Sequence, residues 1–188
     1  ALATKAVTEL GKMGVKAAST GAELNDLSLS LGISAEKVQE YRYVTAQAGV
    51  EWSIFEKAII NARSAMLDLS TGTISTASQA LQSLGLNVAN FESKEAMFDG
   101  IIDALSKMQD KTLQAAYANE IFGDEVANQM LPYLNAGVDA ISQFKTEFGY
   151  IGALSNEQVA ALADLDNTIR LLKTAFRNVT RQIGASFR

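Results

Sequence analysis

The chain has 188 residues, 48% of them apolar, a single proline and a formal net charge of −5. Histidine and cysteine are both absent, which excludes disulfides, thiolate nucleophiles, zinc sites built on Cys or His, and every Ser-His or Cys-His catalytic arrangement. One proline, where about 5% of residues is usual, points to long helices, and the apolar content suffices for a core.

Helical periodicity runs through almost the whole chain and sustained strand-like alternation is missing, so the predicted class is all-α. In chain order, residues 4–18 are expected to form a helix weakened by Gly11 and Gly14, by about 1 kcal/mol each. Leu24, Leu27 and Leu31 mark a short second helix stopped at Gly32. Ser34 is suited to cap a third, whose face carries Val38, Tyr41 and Thr45 before Gly49 ends it. Ser53 and Glu56 have capping-box spacing at the head of the next, or the helix begins a residue or two earlier; it buries Ile54 or Phe55, Ala58, Ile59, Ala62, Met66 and Leu69.

Beyond Ser70-Thr71-Gly72, a helix carrying Ile74, Ala77, Leu81 and Leu84 leads to a loop at residues 85–90. Ser93 then caps a helix whose broad stripe is Met97, Phe98, Ile101, Ile102, Leu105 and Met108. Another helix spans about Lys111 to Phe122; Gly123 suits its left-handed end, and Asp124 the N-cap of the succeeding helix. Pro132 predicts a helix end or kink at Leu131.

The last helix is the most regular. Ser155 and Gln158 match a capping box. Val159, Leu162, Leu165, Ile169, Leu172, Phe176, Val179, Ile183 and Phe187 then succeed one another at spacings of 3 and 4, giving a rod about 45 Å long. From Leu165 onward the alternation is that of a seam packing on another helix, of this chain or of another. The expected organisation is one domain, with a compact helical body over 1–154 and a long amphipathic helix over 155–188. Ile169, Leu172, Phe176 and Val179 are expected to be buried, against the body or in self-association.

Arg170, Lys173, Arg177 and Arg181 stand beside the seam, and residues 167–188 carry five basic groups and no acid, leaving −10 on the rest. A charged flank on an amphipathic helix is ordinarily its solvated face or a contact within the fold; beside that reading these cations are candidate partner contacts, with DNA phosphates or an anionic membrane surface as the lesser options. No apolar run approaches the roughly 18 residues of a membrane span, and the opening "ALATKAVTEL" has no signal-peptide apolar region.

Three acidic pairs are conceivable hard-cation or acid-base sites: Asp124-Glu125, Asp99 with Asp103, and Asp164 with Asp166. None fits an EF-hand loop, and neither H-E-x-x-H nor a glycine-rich phosphate loop occurs. Asp124 therefore reads as a helix cap and the others as solvated positions. The aromatics Tyr41, Tyr43, Trp52, Phe55, Tyr117, Phe122 and Tyr133 are read as locking helix corners, and Met97, Met108 and Met130 as core fillers. The residues nominate no catalytic group, cofactor or metal.

"LGISAEKVQEYRYVTAQAGV", with its hydroxyl cap, tyrosine-rich helix and closing Ala-x-x-Gly, resembles a block of the phage tail tape measure family. "LQSLGLNVANFESKEAMFDGIIDALSKMQDKTLQAAYANEIFGDEVANQMLPYL" is similar to the succeeding block, with an isoleucine-pair helix, a D-K-x-x connection and an IFG…LPxL corner. The closing "SNEQVAALADLDNTIRLLKTAFRNVTRQIG" resembles the amphipathic helix leading out of it. The likeness spans about Leu27 to Ile183, and since such proteins are far longer, it implies a fragment or one domain.

The resemblance implies a structural, non-enzymatic role: setting tail length and taking part in tail assembly and genome delivery. Its implied partners are the tail tube protein, tail assembly chaperones and tail-tip proteins, with possible self-association through the last helix. Its implied location is the virion tail, and the host cytoplasm during assembly. The competing readings are a muramidase-like domain using Glu120 or Glu125, and a helical effector or adaptor binding a host protein or nucleic acid.

Overall fold

The computed structural model describes the backbone of residues 2–186 and the side chains of residues 15–174 and 177. The described residues form eight helices and no strand: α1 Leu2–Leu31, α2 Ala35–Gln47, α3 Trp52–Thr71, α4 Thr76–Ser83, α5 Lys94–Ser106, α6 Lys111–Phe122, α7 Asp124–Ile151 and α8 Asn156–Ser186, with a 3₁₀ turn at Val88–Asn90. The protein is all-α and ends in a long amphipathic helix.

The chain divides into two units. One contains residues 1–30, 34–36 and 154–188; the other contains 31–33 and 37–153. The N-terminal residues, placed with the body from the sequence, thus group with α8.

In the first unit, α1 is one helix of 30 residues rather than the two expected. Gly11 and Gly14 weaken a helix but do not break it, and the helix also runs through Gly21 and Leu24. Ala18, Gly21 and Leu24, one turn apart, are all buried. Gly21 faces Leu162 so closely that a Cβ built on it would lie 2.2 Å from the Leu162 Cβ. The absence of a side chain at residue 21 therefore sets the approach of α1 and α8. The head of α8 carries the expected capping box: Ser155 N–H donates to Gln158 Oε1 at 2.8 Å, and Gln158 N–H donates to Ser155 Oγ at 3.3 Å. A second reciprocal pair caps two helices at once. Ala35 N–H donates to Asn156 Oδ1 at 2.8 Å, and Asn156 N–H donates to Glu36 Oε1 at 3.1 Å, so each helix start supplies an acceptor for the other's orphan donors.

In the second unit, α2, α3, α5 and α7 each supply a ring to an aromatic centre. Phe55 lies 5.1 Å from Tyr41, 5.5 Å from Phe98 and 5.2 Å from Tyr133, ring centre to ring centre, in tilted or edge-on geometry. All four rings are almost fully buried. Tyr41, Phe55 and Tyr133 thus lie in the middle of the core, where the sequence suggested corner locks; Trp52, at the head of α3, and Phe122, at the end of α6, fit that expectation. Met97 and Met130 are core residues as expected, while Met108 is half-buried. Ser93 caps α5 as expected, accepting from Ala96 N–H at 3.0 Å. Buried Gln114, unremarked in the sequence, donates to the Leu105 carbonyl at 2.8 Å and ties α6 to the end of α5.

Three local expectations are corrected. Helix α3 starts at Trp52 with Glu51 as N-cap and no side-chain cap bond, so Ser53 and Glu56 do not form a capping box. Gly123 is not left-handed helical but has φ 81° and ψ 150°, a region open only to glycine. Its N–H donates to Asn119 O at 2.8 Å and its carbonyl accepts from Ala127 N–H at 2.9 Å. One residue thus ends α6 and opens α7, so Asp124 is the first helical residue and not the cap. Asn61 fixes the corner from α3 by donating to the Phe122 carbonyl. Finally, α7 runs straight through the exposed Pro132 and breaks five residues later, at Gly137, with φ 85° and ψ 163°. Proline removes one helical hydrogen bond on a side where water replaces it, whereas that glycine backbone is not helical at all.

Candidate functional site

The sequence places its candidate residues on α8, and the structure shows which of that helix's faces is covered. Val159 is buried, Leu162 is half-buried against Gly21, and Asp166 is buried. These three share one side of the helix. The seam from Leu165 onward lies roughly a quarter turn away from them, at about 100° per residue. Leu165 is accordingly 44% exposed and Leu172 60% exposed, with Ile169 between them half-buried. Burial of Leu172 within the chain, one of the two expected outcomes, is therefore corrected. Phe176, Val179 and Arg181 have side chains outside the described residues.

The cations take different roles. The Arg170 Nε–H donates to Asp166 Oδ2 at 2.6 Å while most of its side chain stays in water. Asp166, expected to be solvated, is the buried member of this pair and has its charge answered one turn away. Lys173 and Arg177 are exposed. Leu171, absent from the predicted seam, is 72% exposed, and its position in a helical repeat puts it on a different side from Leu165 and Leu172.

In the other unit, Asp99 is the most heavily engaged acid, contrary to its reading as a solvated position. Lys37 Nζ lies 2.8 Å from Asp99 Oδ2 and 2.7 Å from Glu40 Oε1, and Lys145 Nζ lies 3.1 Å from Asp99 Oδ1. The Tyr41 hydroxyl donates to the same Oδ1 at 3.1 Å. This network joins α2, α5 and α7. Burial opposes the charge on Lys37, but the hydrogen bonds and charges of Asp99 and Glu40 outweigh it and hold the ammonium's pKa above its ordinary value. Burial first, then the Asp99 charge, pushes the Tyr41 and Tyr133 hydroxyls far above the usual tyrosine range. With two cations against two anions in hydrogen-bonded geometry, the cluster is a clasp between helices.

The other acids singled out in the sequence lie at or near the surface. Glu125 is exposed and 3.8 Å from Lys57, and Glu120 is exposed on α6; a general acid of the lysozyme kind sits in an apolar enclosure instead. Asp103 pairs with Lys107 at 2.6 Å on the surface of α5. Among the described residues, no three acids converge as a metal site would need, and no described helix is long and apolar enough to cross a membrane.

A groove of about 720 Å³ lies between α3 and the segment that leads into α5. Ile60, Met66 and Leu67 of α3 face Val88, Phe91 and Met97 across it, with Arg63 and Lys94 among its walls. Sequence reading did not find it, because Val88 and Phe91 belong to what reads as an unstructured loop. Comparison of the chain with models of protein families, with curated proteins and with solved structures returns no match.

Proposed function

We propose that this chain is a helical assembly domain of a phage or prophage tail tape measure protein, a structural element that sets tail length and takes part in tail assembly and genome delivery. It works through packing and partner contacts rather than catalysis. The observation that carries the reading is the seam of α8: a heptad-like apolar row in which Leu165 and Leu172 are exposed within the chain. Residues at such spacing are covered when two helices wind together.

Two further features support it. The motifs that resemble the tape measure family fall where the helical body turns, at Gly32, Gly49 and Gly123, all with positive φ. Of the implied partners, the tail tube is a long polymer, which a long helix with an open apolar row suits. We assign the seam to association with α8 of a second copy, with the exposed Lys173 at its flank as a contact for other tail components.

Sedimentation equilibrium tests the assignment. The expected result is a weight-average mass that rises with concentration above the 20.1 kDa of the chain. The double variant Leu165→Glu, Leu172→Glu returns it to the monomer, because it places like charges along the seam. A wild-type chain that stays at monomer mass at all concentrations would overturn the self-association.

A further inference from the structure

We propose that the groove between α3 and the start of α5 is a docking site for an amphipathic helix with acidic flanks, contributed by a different protein. The inference does not depend on the tape measure reading.

The groove has a graded construction. Its floor is Met66 and Met97, 7% and 2% exposed, two flexible and polarizable side chains that adapt to an apolar visitor. Its rim is Ile60 and Leu67, 43% and 61% exposed. Those two lie seven residues apart on α3 with Ser64 between them, so one straight helical edge about 10 Å long is on offer. The opposite wall is held in place: Phe91 packs over Gly100, where any Cβ would come within 2.7 Å of its ring. A preformed apolar trough beside a straight helix is what a helix with anchors at i, i+3 or i+4, and i+7 fits.

Charge decides the kind of helix. The unit that holds the groove has eight Lys or Arg against fourteen Asp or Glu, a net −6. Yet the two charged residues lining the groove, Arg63 and Lys94, are both cations. Arg63 also donates from Nη1 to the Leu31 carbonyl at 3.3 Å and keeps its charge there, so positive charge beside the apolar trough of an acidic unit matches acidic flanks on the visitor and disfavours basic ones. That rules against α8 of a second copy, which would bring Arg170, Lys173 and Arg177 alongside its leucines.

The test uses the full chain and two labelled synthetic helices of about 18 residues, a length that gives stable helix on docking. Both carry leucines at i, i+4, i+7 and i+11; one has glutamate flanks and its twin has lysine flanks. Fluorescence anisotropy is expected to show the glutamate peptide binding at least tenfold tighter than the twin. Lys94→Glu is expected to narrow that ratio severalfold, and its fold is safe, since Lys94 is exposed and an acid suits the first turn of a helix. Leu67→Asp, also at an exposed position, is expected to weaken the glutamate peptide at least tenfold. Equal binding of the two peptides, no binding of either, or a ratio unmoved by Lys94→Glu would overturn the proposal. A Leu67→Asp variant that loses self-association while peptide binding persists would instead assign the groove to a second copy, and so overturn it too.

Discussion

Raised above about pH 10, the ordinary tyrosine value, the chain is expected to unfold, with Tyr41 and Tyr133 releasing their protons only as it does. Both side chains are 1% exposed, and burial is the leading cause that lifts their pKa values. The sign depends on which state holds the proton. Above the unfolded value, the unfolded chain loses both protons while the folded chain keeps them, so stability falls as pH rises; below that value the two states are protonated alike and nothing changes. At about pH 12 each tyrosine would cost roughly 3 kcal/mol, and the pair would remove about 5 kcal/mol or more, much of a typical domain's stability. Lys37 acts in the same direction at still higher pH, since its raised pKa means its ion pairs are lost only as the pH passes through that value. Phenolate absorbance measured alongside helical circular dichroism checks this. The part of the phenolate signal that is lost in the Tyr41→Phe, Tyr133→Phe variant, two of the five tyrosines, coincides with the helical transition of the wild type, and that variant unfolds at higher pH. Ionisation of both tyrosines in a chain that keeps its helices would contradict the buried cluster.

The second large effect belongs to the other unit. Gly21→Ala is expected to destabilise the pairing of α1 with α8, although alanine is the better helix former by about 1 kcal/mol. The new Cβ would meet the Leu162 Cβ at 2.2 Å, and a contact between two Cβ atoms cannot be relieved by a rotamer change. The helices must move apart, at a cost of about 1–3 kcal/mol for forced overpacking. Leu162→Ala does not rescue the variant, because its Cβ stays in place, whereas Leu162→Gly does. Ser19→Ala, at an exposed position two residues away, is the control that shows the propensity gain alone. Denaturant unfolding gives the ranking, and a Gly21→Ala chain more stable than wild type would show that the two helices are not held this closely.

Much of the local structure was legible because it is written in local chemistry. Ser93, Ser155 and Gln158 cap helices where their spacing says they should, and the stripe from Met97 to Leu105 is buried as its period requires. What escaped was non-local. The apolar spacing suggests a break between residues 18 and 24, yet Gly21 stands there because Leu162, far away in sequence, occupies the space of a side chain. Asp99 looked solvated because the residues that hold it, Lys37, Tyr41 and Lys145, come from two other helices. Pro132 drew the predicted kink that Gly137 takes, since an exposed proline costs one hydrogen bond while an unfavourable glycine conformation ends the helix outright. The seam on α8 was legible as a pattern, but only the structure shows that Leu165 and Leu172 lie off the side that Val159 and Asp166 occupy. The α3–α5 groove had no local signature, being assembled from a helix and a loop.

Electron microscopy of particles from a strain that encodes this chain, after in-frame deletion of residues 156–186, tests the central claim most directly. An assembly domain of a tape measure protein predicts that tails are missing or lose their uniform length. Particles with tails of unchanged number and length would contradict the account.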